Sequence, residues 1–308
     1  MFEETIAFQK IPTKGQNRFA DRMSYVHLNR VKIVQSDSGV VAYSDDLEGG
    51  SATIDIPVAS LAVLSLGFGA SITNAALTSC ARSGCVVLFT GGSGYPLHTI
   101  AAPLTSSSQF AMAQARVVAN HTEAKKVAKI FYKKQFGVDS FEGSISQMRG
   151  MEGTLMRKTY ALHAKKARLV GWRKDTQGTD SVNIALNIAN NALYGVSASA
   201  VSALSMNAAL GVIHRGHVRS FLFDLADLYK ATISIPLAFS LSKENPTDVP
   251  DLARKAVRKA IFKENVLLDL FGFLTSTFAE YADDTDLMLI GQNGDVEAHK
   301  NYGSDVVL

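Results

Sequence analysis

The sequence predicts an α+β protein: a small N-terminal β-sheet domain that contains one helix, then a larger all-α domain, then a disordered acidic tail. Two changes of pattern along the 308 residues indicate this order. Apolar residues form short, strand-like pieces in the first third of the chain and then recur at helical spacing. Beyond Ala282 the periodicity ends and acidic residues dominate. The expected bounds are 1–102 for the first domain, 103–109 for a linker, 110–281 for the helical domain and 282–308 for the tail.

Short apolar segments bounded by turn residues predict the strands of the first domain. These segments are 25–35, 40–43, 52–56, 61–66 and 86–90. Segment 71–82 has helical spacing and an N-cap candidate at Ser71 or Thr73, so it predicts the single helix of this domain. Residues 91–94 are glycine-rich and predict a hairpin tip. They do not predict a phosphate-binding loop, because no Gly-Lys-Ser/Thr follows them.

A proline- and serine-rich stretch at 103–108 predicts the linker, and the segments after it have the period of helices. The predicted helices are 110–136, as one long helix or a pair, then 147–167, 180–196, 220–230 and 251–262. The third of these carries Asn183, Asn187, Asn190 and Asn191. We expect these amides to form hydrogen bonds between packed helices, which is their common role in an apolar helix.

Charge is distributed unevenly along the chain. The net charge is +3, but the stretch from Glu280 to the end holds seven acidic residues and one lysine, a net of −6, so the preceding 279 residues carry +9. Such an excess favours a nucleic-acid partner. Cys80 and Cys85 are expected to be buried free thiols in a reducing compartment. No signal or membrane-spanning run is evident, so we expect a soluble cytoplasmic protein with no membrane partner.

The segment 220–230 is apolar almost all round. From Ser220, the expected N-cap, the exceptions are Asp224, Asp227 and Lys230, which lie on one stripe of the predicted helix. A helix of this kind is buried, and a buried carboxylate must be paired, strongly hydrogen-bonded or bound to a metal. The two aspartates are therefore candidate functional residues.

A histidine, His214, precedes the aspartates by about ten residues in a glycine-flanked turn. One imidazole nitrogen with several carboxylate oxygens suits a divalent ion. The alternative is a structural network in which Lys230, Arg215 or Arg219 neutralises the aspartates.

Glu152 is a third candidate carboxylate, on the predicted helix 147–167 between Gly150 and Gly153. Each glycine costs a helix about 1 kcal/mol relative to alanine. We therefore expect a close approach of backbone or ligand beside Glu152.

Three motifs resemble the CRISPR-associated adaptation integrases, the family of the first Cas protein, "Cas-one". They are Arg-Gly-Met-Glu-Gly at 149–153, Leu-Tyr-Gly-Val at 193–196, and Gly-Val-Ile-His at 211–214 followed by Ser-Phe-Leu-Phe-Asp-Leu-Ala-Asp at 220–227. Motifs at 21–24, 56–60 and 67–69 extend the resemblance, which looks closest to the subtype I-E branch. One departure is His217, where relatives in this branch usually have lysine.

The resemblance implies an N-terminal β domain joined to a helical catalytic domain. It implies that Glu152, His214 and Asp227 bind Mg²⁺ or Mn²⁺, and that Asp224 is a fourth catalytic residue. Three roles stay open for Asp224: orienting His214, binding a second metal, or activating water. His217 is a rival of His214 as the metal ligand.

The implied reaction is a transesterification in which DNA 3′-hydroxyls of a prespacer are joined to the leader–repeat region of a CRISPR array. The implied partners are prespacer DNA, double-stranded with single-stranded 3′ ends, CRISPR repeat DNA, a second copy of the chain, and a small second adaptation protein, "Cas-two", that bridges two homodimers. DNA contacts are expected from basic residues and from base stacking on one aromatic ring. The candidates are Tyr194, Arg215, His217, Arg219, Arg254, Arg258 and Lys259.

Two alternatives share the same residues. The first is a metal-dependent nuclease for branched or single-stranded DNA, in which water replaces the 3′-hydroxyl as nucleophile. The second is a DNA-binding scaffold without catalysis, which the retention of all four candidate site residues disfavours.

Overall fold

The computed structural model describes residues 25–37, 39–45, 51–90, 96–100, 107–137, 143–283, 288–291 and 294–297. In these residues a part rich in strands comes first and a mostly helical part follows, which confirms the predicted fold class. Three features of the sequence lie outside the described residues: the motif at 21–24, the hairpin tip predicted at 91–94, and most of the linker predicted at 103–108.

Eight strands and one helix make up the N-terminal part. The strands are β1 Val26–Leu28, β2 Val31–Ser36, β3 Gly39–Asp45, β4 Ser51–Ile56, β5 Val63–Leu66, β6 Ser71–Ile72, β7 Val86–Thr90 and β8 Pro96–Ile100. They form two four-stranded sheets in the orders β1-β5-β7-β8 and β4-β3-β2-β6. In the first sheet β1, β5 and β7 are parallel and β8 is antiparallel to β7. The predicted strand 25–35 is divided into β1 and β2, because Arg30 adopts a positive φ of 50°.

Helix α1 is Asn74–Arg82, and the Thr73 side chain caps it by accepting a hydrogen bond from the Ala76 amide. The remaining helices are α2 Gln109–Ala119, α3 His121–Phe136, α4 Ile145–Lys166, α5 Ser181–Ala203, α6 Ser220–Tyr229, α7 Ile235–Ser240, α8 Val249–Lys263 and α9 Val266–Phe278. A π-helical turn, Lys230–Ser234, joins α6 to α7. The segment 110–136 is thus a pair of helices. They meet at Asn120, whose side chain caps α3.

Helix α5 lies at the centre of the fold. Its buried residues share one apolar core with α3, α6, α8 and α9, and with one face of the β1-β5-β7-β8 sheet. Gly195 permits the close approach to the sheet, because a Cβ there would lie 2.8 Å from Leu88 Cδ1 and 3.2 Å from Val63 Cγ1. The opposite face of that sheet packs with α1 and the second sheet in a separate apolar cluster.

The α5 asparagines differ from the prediction. Asn183 bonds to the Asp175 amide and the Arg173 carbonyl, and Asn187 donates to the Thr176 carbonyl, all in the loop before α5. For the Asn190 Oδ1 and Asn191 Nδ2 atoms the described part of the chain supplies no hydrogen-bond partner. The expected hydrogen bonding between helices is therefore wrong for Asn183 and Asn187, because the nearer carbonyls and amides of the loop satisfy them.

Three smaller findings complete the fold. Cys80 and Cys85 are buried thiols that are not joined in a disulfide, as predicted. Within the acidic tail, β9 Met288–Gly291 pairs in antiparallel fashion with β10 Gly294–Glu297, which the aperiodic sequence there does not indicate. Among the described residues, no helix has the length and apolar character needed to cross a membrane.

Candidate active site

Helix α6 is buried along most of its length and presents the predicted stripe of two aspartates, with Lys230 directly after it. The helix begins at Ser220 rather than being capped by it, which corrects the expected N-cap. The Ser220 hydroxyl instead accepts from the His217 amide and donates to the His217 carbonyl. These two bonds fix the end of the loop that carries both histidines, at the point where it enters α6.

The Asp224 carboxylate holds the preceding loop. It is 2% exposed and accepts from the backbone amides of Val212 at 2.7 Å, Ile213 at 3.0 Å and His214 at 2.8 Å. Gly211 makes this turn possible, because a Cβ at that position would collide with the His214 carbonyl oxygen. Converging N–H donors compensate for burying the carboxylate, which would otherwise be costly.

Asp224 also fixes the orientation of the His214 ring. The His214 Nδ1 and Asp224 Oδ1 atoms are 2.8 Å apart, so a proton on Nδ1 is held by the carboxylate and Nε2 is left as the basic nitrogen. Burial alone would lower the pKa of His214, but the hydrogen bond to Asp224 and the charges of Asp224 and Asp227 raise it. Of the three roles left open for Asp224, this geometry favours the orienting role.

Asp227 lies on the other side of the imidazole. Its Oδ2 atom is 3.9 Å from His214 Nε2, and its Oδ1 atom is paired with the Lys230 ammonium. Both paired side chains are nearly buried, at 13% and 12% exposure. Neutralisation by Lys230, one of the three cations considered, is thus confirmed for Asp227. Arg215 is exposed and donates to the Val118 carbonyl instead.

Glu152 approaches the same centre from α4. It accepts hydrogen bonds from Gln135 Nε2 at 3.2 Å and from the Tyr132 hydroxyl at 3.4 Å, both on α3. Burial, followed by the negative charge of Asp227, raises the pKa of Glu152, while His214 and Lys230 oppose the rise. The carboxylates of Glu152 and Asp227 therefore interact electrostatically.

The glycines beside Glu152 do not mark a close approach of backbone. A Cβ at either Gly150 or Gly153 would meet no described atom within 4 Å. The expectation of a nearby backbone is wrong because this face of α4 is exposed.

The donor set fits a divalent ion in its chemistry. Two ligands that each lie about 2.0–2.2 Å from one ion are at most slightly over 4 Å apart, so the 3.9 Å between His214 Nε2 and Asp227 Oδ2 is within range. Burial and then the charge of Asp227 raise the pKa of Glu152, and a bound cation would oppose both effects. As the side chains stand, no three His, Cys, Asp or Glu residues in the described ranges form a closed ligand set. Glu152 is held by Gln135 and Tyr132 instead.

An aromatic cluster borders the centre. Phe223 lies between both histidines and Tyr194, with ring centroids 6.1 Å from His214, 5.1 Å from His217 and 5.4 Å from Tyr194. The His217 Nδ1 accepts from the Arg219 amide, and this side chain is exposed. His214 is the better placed ligand because its Nε2 faces Asp227 Oδ2 at 3.9 Å. The pattern on α6 contained a signal for Phe223, because it is four residues before Asp227 and shares its face.

Other side chains near the centre had no signal in the sequence. Burial raises the pKa of Tyr160 to about 12, with opposing effects of the Lys230 and Asp227 charges. Burial and the Lys230 charge lower the pKa of Lys174. Lys174 also stands over the Tyr160 ring at 5.8 Å. These residues reach the centre only through tertiary packing.

The basic residues of α8 have different surroundings. Arg254 pairs with Asp251 at 3.1 Å, and its charge acts on Tyr25 and on His27, so it lies at the junction with the first sheet. Burial, followed by this charge, lowers the pKa of His27 to about 4. Arg258 and Lys259 are exposed.

The fold and the site together define a class. They describe an α+β protein whose helical part brings an oriented histidine together with acidic side chains and a buried lysine, the kind of cluster that is typical of a functional site.

Comparison with known proteins gives the family. The sequence model of the family "CRISPR associated protein Cas1" matches residues 29–137 and 133–265. The chain belongs to the Cas1 family. It is 32% identical over 306 residues to the CRISPR-associated endonuclease Cas1 2 of Thermus thermophilus, which covers 94% of this chain and 92% of that protein. It is 33% identical over 251 residues to the CRISPR-associated endonuclease Cas1 of Clostridium sp., covering 78% of this chain and 81% of the relative.

Solved structures agree with this assignment. The crystal structure of a TtCas1–DNA complex has a TM-score of 0.73 at 32% identity, over 83% of this chain and 91% of that one. A casposase bound to its integration product has a TM-score of 0.67 over 83% of this chain and 90% of that one. At 15% identity the casposase shows a shared fold alone.

Proposed function

We propose that this protein is a metal-dependent CRISPR adaptation integrase. It joins the 3′-hydroxyls of prespacer DNA to the leader–repeat region of a CRISPR array by transesterification. The observation that carries the proposal is the His214 ring, held on one side by Asp224 at 2.8 Å and facing Asp227 at 3.9 Å on the other. Membership of the Cas1 family and the similarity to a DNA-bound relative support it.

Glu152, His214 and Asp227 are the proposed ligands of Mg²⁺ or Mn²⁺. The chemistry supplied by such an ion is to lower the pKa of the attacking hydroxyl and to offset the negative charge that develops on the phosphate. Asp224 keeps the Nδ1 proton in place, so that Nε2 of His214 is left to bind the ion beside Asp227. An imidazole ligand makes Mn²⁺ as credible as Mg²⁺, since imidazole is softer than a carboxylate.

DNA is the proposed partner of the surface around this centre. Tyr194 presents a ring beside Phe223, and stacking of one base on such a ring contributes about 1–3 kcal/mol without regard to sequence. The exposed Arg215, His217, Arg258 and Lys259 are proposed phosphate contacts, together with the less exposed Arg219. Because Arg254 pairs with Asp251, we expect it to contribute less to DNA affinity than the other basic residues.

The finer assignments belong to this proposal. We place the chain in the subtype I-E branch, on the motifs at 56–60 and 67–69. We expect it to act in the cytoplasm on prespacer DNA and CRISPR repeat DNA, as homodimers that the small Cas-two protein bridges in pairs.

A second candidate is a metal-dependent nuclease that uses the same residues with water as nucleophile. It is favoured by the names of the relatives, which are CRISPR-associated endonucleases. A change of nucleophile from a 3′-hydroxyl to water requires no change of ligand.

A strand-transfer assay distinguishes these functions. The protein and its small partner are incubated with a supercoiled plasmid that carries leader and repeat, in Mg²⁺, Mn²⁺ or EDTA. One prespacer has free 3′-hydroxyls and a second has blocked 3′ ends. We expect joined products only with the free ends and a metal.

The variant His214→Ala should give no joined product, whereas His121→Ala, an exposed histidine on α3, serves as the matched control. Cleavage without joining would establish the nuclease instead. Bound DNA with no product under any condition would favour a scaffold.

A further inference from the structure

Lys230 is a cation buried in the centre itself. Its side chain is 12% exposed, its ammonium pairs with Asp227 Oδ1, and it stands 5.3 Å from the centroid of the Tyr194 ring. Charged lysines are rarely this buried without a specific partner, because desolvating an ammonium is costly. The pairing with Asp227 compensates for that cost.

Lys230 lies where an unusual element begins. It is the first residue of the π-helical turn Lys230–Ser234, which interrupts an otherwise continuous helix from α6 to α7. Turns of this kind are rare overall and concentrate at functional sites. Lys230 itself keeps helical φ and ψ of −61° and −42°, so its ammonium meets Asp227 as a regular i,i+3 pair.

The two oxygens of Asp227 have different surroundings. The Oδ1 atom is paired with the Lys230 ammonium, and the Oδ2 atom faces His214 Nε2 at 3.9 Å. In a protein without metal, Lys230 is thus the positive charge that offsets the Asp227 carboxylate.

We propose that Lys230 is the resident counter-ion of the metal site: it stabilises Asp227 in the metal-free protein and competes with the divalent ion for that carboxylate. Lys230 is a positioning residue in this role and touches neither substrate nor reacting atoms. The inference rests on the proposed function, because it requires a metal at Glu152, His214 and Asp227.

Lys230 and a divalent ion would compete for Asp227 because both are positively charged. A divalent ion at Asp227 neutralises the carboxylate that stabilises Lys230 and lies close enough to repel the ammonium. The Tyr194 ring offers the ammonium a second favourable neighbour, through a cation–π contact. Removing the lysine charge should therefore strengthen metal binding while weakening the metal-free protein.

The test uses Mn²⁺ as the probe and two readouts that do not depend on activity. Mn²⁺ affinity is measured by electron paramagnetic resonance of the free ion, and Tm is measured in EDTA and in saturating Mn²⁺. In EDTA, Lys230→Met should melt a few degrees below wild type. It should bind Mn²⁺ roughly tenfold more tightly, since a like charge beside the site has been removed. Saturating Mn²⁺ should close the gap in Tm.

The chain provides a closely matched control. Lys134 pairs with Asp269 at 2.8 Å and stands 5.1 Å from the Phe273 ring, the same combination of carboxylate and aromatic ring outside the centre. Lys134→Met should lower Tm equally in EDTA and in Mn²⁺, and should leave Mn²⁺ affinity unchanged. Lys230→Arg retains the charge and should resemble wild type in Mn²⁺ affinity.

Equal or weaker Mn²⁺ binding by Lys230→Met, in a wild type that does bind, would overturn the role of Lys230 alone. Absence of Mn²⁺ binding in wild type would overturn the proposed metal site and this inference together. Should Lys230→Met not fold, acetylation of lysines in the wild-type protein replaces it, read by mass spectrometry. Lys230 should then be labelled faster in Mn²⁺ than in EDTA, and an unchanged rate would overturn the proposal.

Discussion

Four hydrogen-bond donors converge on the Asp224 carboxylate: three consecutive backbone amides and the imidazole of His214. Asp224→Ala leaves these buried donors without an acceptor, so we expect a loss on the order of 3–5 kcal/mol in the free energy of unfolding. Asp224→Asn keeps one oxygen and should lose much less. Chemical denaturation in EDTA measures both.

The asparagine variant separates folding from ligand orientation. It cannot hold the Nδ1 proton as a carboxylate does, so Mn²⁺ affinity should fall about 10- to 100-fold even though the protein folds. Wild-type affinity in Asp224→Asn would show that Asp224 supports only the loop.

Glu152 has a raised pKa, caused first by burial and then by Asp227. A carboxyl with a raised pKa binds its proton more tightly in the folded state, so its contribution to stability is present at low pH and is lost as pH rises through the folded pKa. Glu152→Gln has no carboxyl group to ionise, so this variant does not lose that stability as pH rises. In EDTA at pH 7 we expect the variant to be more stable than wild type by about 1 kcal/mol, with the difference vanishing below the ordinary glutamate value of 4.5.

Glu123 provides the opposite case. Hydrogen bonds from Lys126 and Tyr281 lower its pKa, so its contribution is present at neutral pH and is lost as pH falls. Glu123→Gln should therefore be less stable than wild type at pH 7, and this difference should shrink as pH falls below the ordinary glutamate value of 4.5. Urea denaturation across this pH range measures the difference. Identical pH profiles for Glu152→Gln and wild type would show that Glu152 carries no electrostatic strain.

The sequence indicated part of this centre for a clear reason. A helix with apolar residues on nearly every face leaves few positions for Asp224 and Asp227, so they were conspicuous. The flanking glycines distinguish Glu152 in the sequence, although both face open space in the structure. Tyr132 and Gln135 could not be found, because they reach Glu152 from α3 through packing alone.

At the scale of elements, periodicity located most helices and strands but not their breaks. The break between β1 and β2 depends on one residue, Arg30, with positive φ. Helix α9 had no separate signal, because Val266–Phe278 is rich in apolar residues on several faces. The π-helical turn Lys230–Ser234 depends on tertiary packing, which no local pattern encodes.

Two separate glycine-to-valine variants test the contact between α5 and the first sheet. Gly195→Val would press a branched side chain against Leu88 and Val63, so we expect a loss of about 2–3 kcal/mol in the free energy of unfolding. Gly150→Val places the same side chain on the exposed face of α4 and should change stability by less than about 0.5 kcal/mol. Similar losses at both positions would show that α5 does not need glycine for its approach to the sheet.

At the scale of the whole molecule, charge is the property that sequence alone described well. Internal pairs such as Lys134 with Asp269 and Lys230 with Asp227 add nothing to the net +9 of the first 279 residues, because both partners are already counted in it. Only tertiary structure separates these pairs from cations that are exposed, such as Arg258 and Lys259. The exposed cations are the ones that can release counterions from DNA.

The dependence of DNA affinity on salt tests this distinction. Each phosphate that is neutralised contributes a slope of about −0.9 to the plot of log affinity against log salt. The double variant Arg258→Ala, Lys259→Ala should therefore make the slope less steep by about 2 and weaken binding to all duplex sequences alike. Fluorescence anisotropy with a labelled duplex at several salt concentrations measures this change.

A double variant of equal charge is the control. Lys126 pairs with Glu123 at 2.9 Å and Lys263 lies 3.6 Å from Glu264, so each cation already has a carboxylate beside it. Lys126→Ala with Lys263→Ala changes the net charge by the same amount but should leave the slope nearly unchanged. If both double variants altered the slope equally, DNA would respond to the overall charge of the protein, and the α8 surface would have no specific part in binding.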